Sequence, residues 1–394
     1  MTQPRPTHTG PAYTGPAYTG PAYTGPAYTG PAYTGLTWDH PRGYDALAAS
    51  AGGLVHWDVQ PLEGFESHPI DELCARYDLV VLDHPHLGEA LNTGCLRPLD
   101  DLFTPEELAR WGADSIGPTM RSYAMDGRQW ALPLDAATQV AATRTDLVGA
   151  APRSWDEVRG LARRAPVALS LAGPHAFLTF ASVAVAMGEE PATDPDELIG
   201  DDTGLAVLDL MAALDALAPP ETRTLNPIGL LELMAATDRL AHCPLVYGYV
   251  TYADRLTFTD APSVTAGGRP GSTLGGTGIA LSARCTPSPE LLAHVRWLMS
   301  PEAQGNFLPR HSGQPSARTA WTSPDTVAAD FYRRTAATCE QAWVRPRHAG
   351  YIGFQTAASA AVRAALAGET DHREALARMR TLYRTSRTPK ERPS

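Results

Sequence analysis

Lysine is almost missing from this chain: Lys390, five residues from the end in a polar tail, is the only one. A Schiff-base mechanism and a phosphate-cradling GxxxxGK[ST] loop both need a positioned lysine, so pyridoxal chemistry and P-loop nucleotide hydrolysis are excluded. No GxSxG elbow and no HExxH helix occurs, which removes two familiar hydrolase classes. The five cysteines (Cys74, Cys95, Cys243, Cys285 and Cys339) are scattered and odd in number, and no two have CxxC spacing. That pattern suits free thiols in a reducing compartment better than a disulfide framework, and it offers neither a zinc nor a redox motif. No metal site and no cofactor is expected. No long uncharged apolar segment is present to span a bilayer. The first residues, MTQPRPTHTGPAYTG, contain no apolar core of a signal peptide, and no cysteine precedes Cys74 to take a lipid. Secretion therefore finds no support here, and a cytoplasmic location is expected.

What is present is enough for two hydrophobic cores, because single cores stop growing near about 250 to 300 residues. The chain has 394 residues, of which 43% are hydrophobic and 19% charged, a globular profile. Its formal charge of -11 argues against nucleic acid or an anionic membrane as the principal partner. Residues 10–35 repeat Gly-Pro-Ala-Tyr-Thr. Each unit holds a helix-breaking Gly-Pro and one large side chain, too little to offset the entropy of ordering, so residues 1–35 read as a flexible leader. Tyrosines spaced for a partner are the functional alternative for that repeat.

From Leu36 the pattern alternates. Strands are expected at 36–38, 53–59 and 78–82, with helices at 43–51 and 70–76 between them, a βαβαβ unit. Such a sheet binds ligands at the carboxyl ends of its strands, where this sequence places Asp39 to Arg42, Glu63 to Glu66 and Asp83 to His86. Farther on, SYAMDGRQWALPL suggests a hairpin turning at Asp126-Gly127. PRSWDEVRGLARR suggests a helix capped by Ser154 with Glu157 three residues later. A second α/β region follows, with strands at 167–171 and 244–252, helices near 177–187, 203–217 and 230–239, and a glycine-rich crossover at 267–278. A strand at 279–282, a helix at 289–299 and a largely helical C-terminus complete the pattern.

Six segments in order resemble one family. LTWDHPRGYDALA is similar to its first strand, ligand loop and helix; DLVVLDHPHLGEALNTGCLRPLDDL to its third strand and the loop beyond; and MDGRQWALPLDAATQVAATRTDLV to its hairpin and first hinge crossing. LGGTGIALSARCTPSPELLAHVRWLMSPEAQ resembles the second crossing with its helix, and HSGQPSAR and GYIGFQTAASAAVRAALAGETDHREALARM follow in the same order. The family is the bacterial extracellular solute-binding proteins, family 1, the substrate-binding subunits of ABC importers, which include maltose and other sugar binders. The resemblance implies an α/β, two-lobe periplasmic-binding-protein-like fold of type II, with an interlobe cleft and hinge crossings, closing on ligand like jaws. It places one lobe at 36–137 plus 279–318 and the other at 138–278 plus 319–394.

On this mapping Arg42 lies on the first ligand loop, where its five fixed donors suit sugar hydroxyls or a carboxylate; a surface arginine is the plainer alternative. Asp39 and His40 share that loop, and Asp39 could equally cap the next helix. Asp83, His84 and His86 sit on the third-strand loop that the family turns to the cleft, though alternate residues there point opposite ways. Glu63 and Glu66 occupy the region that supplies an acidic ligand contact. Asp135 and Gln139 flank the first crossing, as ligand contacts or as hinge braces. Tyr247 and Tyr249 match the place of an aromatic platform for a pyranose, with Trp343 and Tyr351 as further candidates; tyrosines in a strand also pack as core.

The expected function is capture of a small polar organic ligand, sugar-like or acidic, without catalysis, with ABC-importer membrane subunits as the partner and an extracytoplasmic place if the family role is retained. The competing reading is a cytosolic derivative of the fold, a metabolite sensor or an enzyme using the cleft histidines and carboxylates. A third is an interaction protein working through the tyrosine repeat. No nucleic acid and no membrane insertion is expected.

Overall fold

The computed structural model describes residues 32–387. Most of the repeat lies outside them. Its last four residues do not: after Ala32, Tyr33, Thr34 and Gly35 open strand β1 (Tyr33–Trp38), so the strand starts earlier than its apolar run suggested and the leader ends short of residue 35. Three contacts explain the recruitment. The Tyr33 hydroxyl donates to Thr286 O at 3.1 Å and accepts from Ser288 N at 2.8 Å. Thr34 donates from N and Oγ1 to Asp78 at 2.9 and 3.0 Å. Gly35 lies under the Trp57 ring, where a Cβ would fall 2.5 Å from a ring carbon.

β1 pairs in parallel with β2 (Val55–Gln60) and β3 (Leu79–Leu82), the βαβαβ unit that the alternation predicts. β3 is buried along its whole length, as a strand covered on both faces must be. The hairpin turns where expected, between β4 (Ala124–Met125) and β5 (Arg128–Gln129), with Asp126 and Gly127 both at positive φ.

The remaining strands join two regions. β6 (Leu132–Thr143) is twelve residues long and buried throughout, about 40 Å of chain at the usual strand rise. Its first half, Leu132 to Thr138, pairs with β9 (Leu274–Leu281); its second half pairs with β7 (His242–Tyr247) and β8 (Thr257–Thr259). β9 also pairs antiparallel with β3. The sheet order is β2-β1-β3-β9-β6-β7, with β8 beside β6. The glycine-rich stretch read as a crossover thus ends inside a strand, because glycine lets strands approach closely. Gly276 has φ +87°, and a Cβ there would lie 2.3 Å from Asp135 O.

Two expected strands are corrected. Residues 167–171 make only a single bridge, Val167 to His242. Their apolar side chains are buried, but buried extended chain and strand share one pattern. The run at 244–252 stops at Tyr247, and Val250–Tyr252 is a 3₁₀ turn.

Helices cover the sheet. Pro41–Ser50 starts with proline in its first turn, and the His40 ring accepts from Arg42 N at 3.1 Å. Trp155–Ala162 is capped by Ser154, as predicted. His175–Ala186 is buried on every side. One apolar cluster runs from Trp38 and Leu134 through Val140 to Val246 and Phe331. A second, built on Phe177, Phe180, Leu208, Val362 and Met379, fills the helical region. No helix among the described residues is long and apolar enough to cross a membrane.

Candidate functional site

The carboxyl ends of β1 and β3, the middle of β6 and β9, and the end of β7 meet at one cleft. Trp38 closes β1 and its ring covers Gly43, where a Cβ would lie 2.1 Å from Trp38 Nε1. That contact sets the helix start that carries Arg42 inward. Arg42 is 6% exposed. Its Nε and Nη2 donate to the two Asp135 oxygens at 2.9 and 2.6 Å, and Nη1 donates to Gly248 O at 3.1 Å. The guanidinium lies 4.7 Å from the Tyr249 ring centroid and 5.4 Å from that of Trp38. Burial opposes its charge, but the attraction and hydrogen bonds of Asp135 outweigh that, and its pKa is raised.

A second pair faces it. Arg345 Nη2 donates to Asp83 Oδ2 at 2.5 Å, across 262 residues of sequence. Asp83 Oδ1 accepts from His84 N at 2.9 Å. Burial works against the Asp83 charge too, yet Arg345 and the His84 contacts hold its carboxyl well below the usual range. Arg345 is less fully used than Arg42. Its Nη1 reaches Gln355 Oε1 only at 3.4 Å, and its Nε–H has no hydrogen-bond partner among the described residues. The Tyr247 hydroxyl is also buried and unpartnered among them. Glu66 Oε1 lies 3.3 Å from His175 Nε2, close in distance but outside hydrogen-bond geometry.

These groups line one cavity with Phe65, Ala137 and Gly275 to Thr277. Its volume is about 60 Å³, far below the roughly 300 Å³ or more of a typical ligand pocket. An organic solute enters this site only if the walls part.

The sequence candidates separate into three groups. Arg42, Glu66, Asp83, Tyr247 and Tyr249 line the cavity. Asp135 and His40 support it from behind: Asp135 holds Arg42, while His40 stacks on Trp38 at 5.1 Å and meets Tyr249 edge-on at 4.9 Å. The others lie elsewhere. Asp39 is exposed, its N–H bound to Gln60 O at 2.8 Å. Glu63 is exposed and accepts from Asn226 Nδ2 at 3.2 Å. His84 and His86 are buried behind Asp83 in the 3₁₀ turn at His84–His86 and not among the cavity-lining residues. Burial and the Arg345 charge lower the His84 pKa to about 4, so its ring is neutral. Gln139 is fully buried and braces β6, donating to Thr179 Oγ1 and accepting from Ser182 Oγ. Trp343 packs on Ala181 and Val185 and lines a different groove. Tyr351 packs against Phe354, His348 and Tyr383.

Sequence reasoning missed Trp38, Arg345, His175 and Gln355. Trp38 stood in the right stretch. No local signal marks Arg345, whose placement depends on the long-range pair with Asp83.

The profile of the bacterial extracellular solute-binding proteins matches residues 75–305, more than half of the chain, and the protein belongs to that family. It is therefore a solute-binding protein for a small molecule. Among solved structures, an ABC transporter solute-binding protein from Agrobacterium radiobacter in complex with ribitol aligns with a TM-score of 0.75 at 21% identity, covering 92% of this chain and 100% of that one. Maltose-bound MalE3 of T. maritima aligns at 0.74 with 17% identity over 90% of this chain and 99% of its own. The GacH receptor of Streptomyces glaucescens, solved unliganded and with acarbose, aligns at 0.74 with 16% identity over 91% and 99%. These likenesses give the chain the two-lobe fold of periplasmic binding proteins. No curated protein sequence matches it.

Proposed function

We propose that the protein captures a neutral polyhydroxylated solute, a sugar or sugar alcohol, between two lobes, and hands it to the membrane subunits of an ABC importer on the outer side of the membrane. The structural neighbours crystallised with ribitol, maltose and acarbose support the ligand class. The observation that carries the reading is the charge balance around the cavity. Arg42 faces Asp135 and Arg345 faces Asp83, which leaves Glu66 beside a histidine and, among the described residues lining the cavity, no arginine without a carboxylate. An acidic solute finds nothing there to neutralise it. A polyol finds the spare N–H of Arg345, the Tyr247 hydroxyl, the Glu66 carboxylate and the faces of Trp38 and Tyr249.

We take the lobes as 36–137 plus 279–318 and 138–278 plus 319–394; in support, β6 changes partners between Thr138 and Gln139, one residue past the first boundary. On that division the Asp83–Arg345 pair and the Arg42–Gly248 bond cross the cleft and hold it shut. Thermal unfolding and titration calorimetry against ribitol, maltose and the matching sugar acids test the reading. A neutral polyol at about one hundred times its dissociation constant should stabilise by about 2.7 kcal/mol and be recovered unchanged. A hit confined to the acids, or one returned chemically altered, would refute it.

A further inference from the structure

The carboxylates around the cleft cavity are not used alike. Asp135 gives both oxygens to Arg42, and Asp83 gives one to Arg345 and the other to His84 N. Glu66 is the exception. It lies on the short helix Leu62–Ser67, next to Phe65, whose buried ring stands 6.1 Å from that of Trp38. Its side chain lines the cavity, is 21% exposed and makes no hydrogen bond among the described residues. The one basic group within ion-pair distance among them is His175, with Nε2 at 3.3 Å and outside hydrogen-bond geometry. A neutral imidazole there leaves the charge of the carboxylate in place. Nor do the histidines behind the wall supply a charge, because burial lowers the pKa of both His84 and His86. With His175 neutral, two guanidiniums face three carboxylates, and the unbalanced one is Glu66.

We propose that the cleft prefers a polyhydroxylated amine, an amino sugar or amino alditol, whose ammonium sits on Glu66. This rests on the reading that a polyhydroxylated solute binds between the lobes, and it adds that the amine outcompetes its neutral parent. The hydroxyls of such a solute meet the spare N–H of Arg345 and the Tyr247 hydroxyl. The ammonium makes a charge-assisted hydrogen bond to Glu66, about twice as strong as one from a hydroxyl, and shedding water on closure strengthens it further. Other cations fit less well. An amino acid brings a carboxylate too, and both cavity arginines are already paired. A metal ion needs several ligands together, and no group of three His, Cys, Asp or Glu able to hold one occurs among the described residues.

The test is calorimetry on the full chain near neutral pH with matched pairs: ribitol and 1-amino-1-deoxyribitol, glucitol and 1-amino-1-deoxyglucitol, glucose and glucosamine. N-acetylglucosamine serves as the uncharged amide. In the pairs that bind, the amine should bind about tenfold tighter than its parent, and acetylation should remove the gain. Glu66→Gln keeps the shape and a hydrogen-bonding oxygen but not the charge. It should bring amine and parent to equal affinity, with thermal unfolding in the absence of solute verifying that the variant is folded. Parents that bind as tightly as their amines, or a preference that survives in Glu66→Gln, would overturn this inference and leave the polyol reading standing. Binding by the amines alone would support it and refute the neutral solute. Failure of every pair to bind would overturn both.

Discussion

The two buried arginines of the cleft are used in opposite ways. Arg42 uses its donors on its own surroundings: both Asp135 oxygens and the Gly248 carbonyl, with the Trp38 and Tyr249 rings close beside it. Arg345 makes one short bond to Asp83, one long one to Gln355, and keeps an N–H without a partner among the described residues. A guanidinium with each of its three nitrogens hydrogen-bonded is framework, because moving it leaves a carboxylate buried without a counter-charge. One that is partly satisfied has hydrogen-bonding capacity left for a solute.

The sharpest way to break this contrast is Arg42→Ala. It should cost about 3–5 kcal/mol in denaturant unfolding, since Asp135 is 6% exposed and has no other cation bound to it among the described residues. A loss below about 1 kcal/mol would mean that Arg42 is no framework. Arg345→Gln should show the reverse balance, a smaller stability change with polyol affinity lowered by about 10- to 100-fold, the value of a hydrogen bond from a charged donor. Equal affinity in calorimetry would remove Arg345 from the site.

Acid should act mainly through buried histidines. His242 is fully buried, with burial lowering its pKa to about 3. Below about pH 6.5 the unfolded chain takes up a proton there that the folded chain refuses, so stability falls as pH drops from about 6.5 toward 3. Removing the imidazole in His242→Asn should flatten that limb by up to about 1.4 kcal/mol per pH unit. An unchanged slope would mean that His242 is protonated in the fold.

Tyr247→Phe removes a buried hydroxyl without a partner among the described residues. Folding stability should hold, while polyol affinity drops by about 1 kcal/mol, or roughly fivefold, if that hydroxyl meets the solute. The smallest effect is expected from Asp39→Asn, within about 0.5 kcal/mol in unfolding and without change in affinity. A larger shift would bring the exposed start of the loop into the site.

Much of the candidate cavity's lining was legible where the chain itself builds the wall. Alternation located β1 and β3, and the rule that ligands lie at the carboxyl ends of parallel strands led to Arg42, Glu66 and Asp83. The same rule could not choose among neighbours. His84 and His86 follow Asp83 directly, but the 3₁₀ turn stiffened by Pro85 puts both rings behind the wall. Gln139 read equally as a ligand contact or a hinge brace, and it is buried in β6 with its amide used on Thr179 and Ser182, which its residue type suits as well as it suits a ligand.

The sequence by itself determined the local order: the parallel unit, the Asp126-Gly127 hairpin, the Ser154 cap and the succession of motifs that mark the family. These follow from periodicity, capping and turn chemistry, which act over a few residues. The tertiary structure alone decided which charges meet. Asp83 finds Arg345 and Arg42 finds Asp135 because β6 and β9 bring distant segments to one place. Pairing of that kind depends on distance in space, which no pattern along the chain encodes.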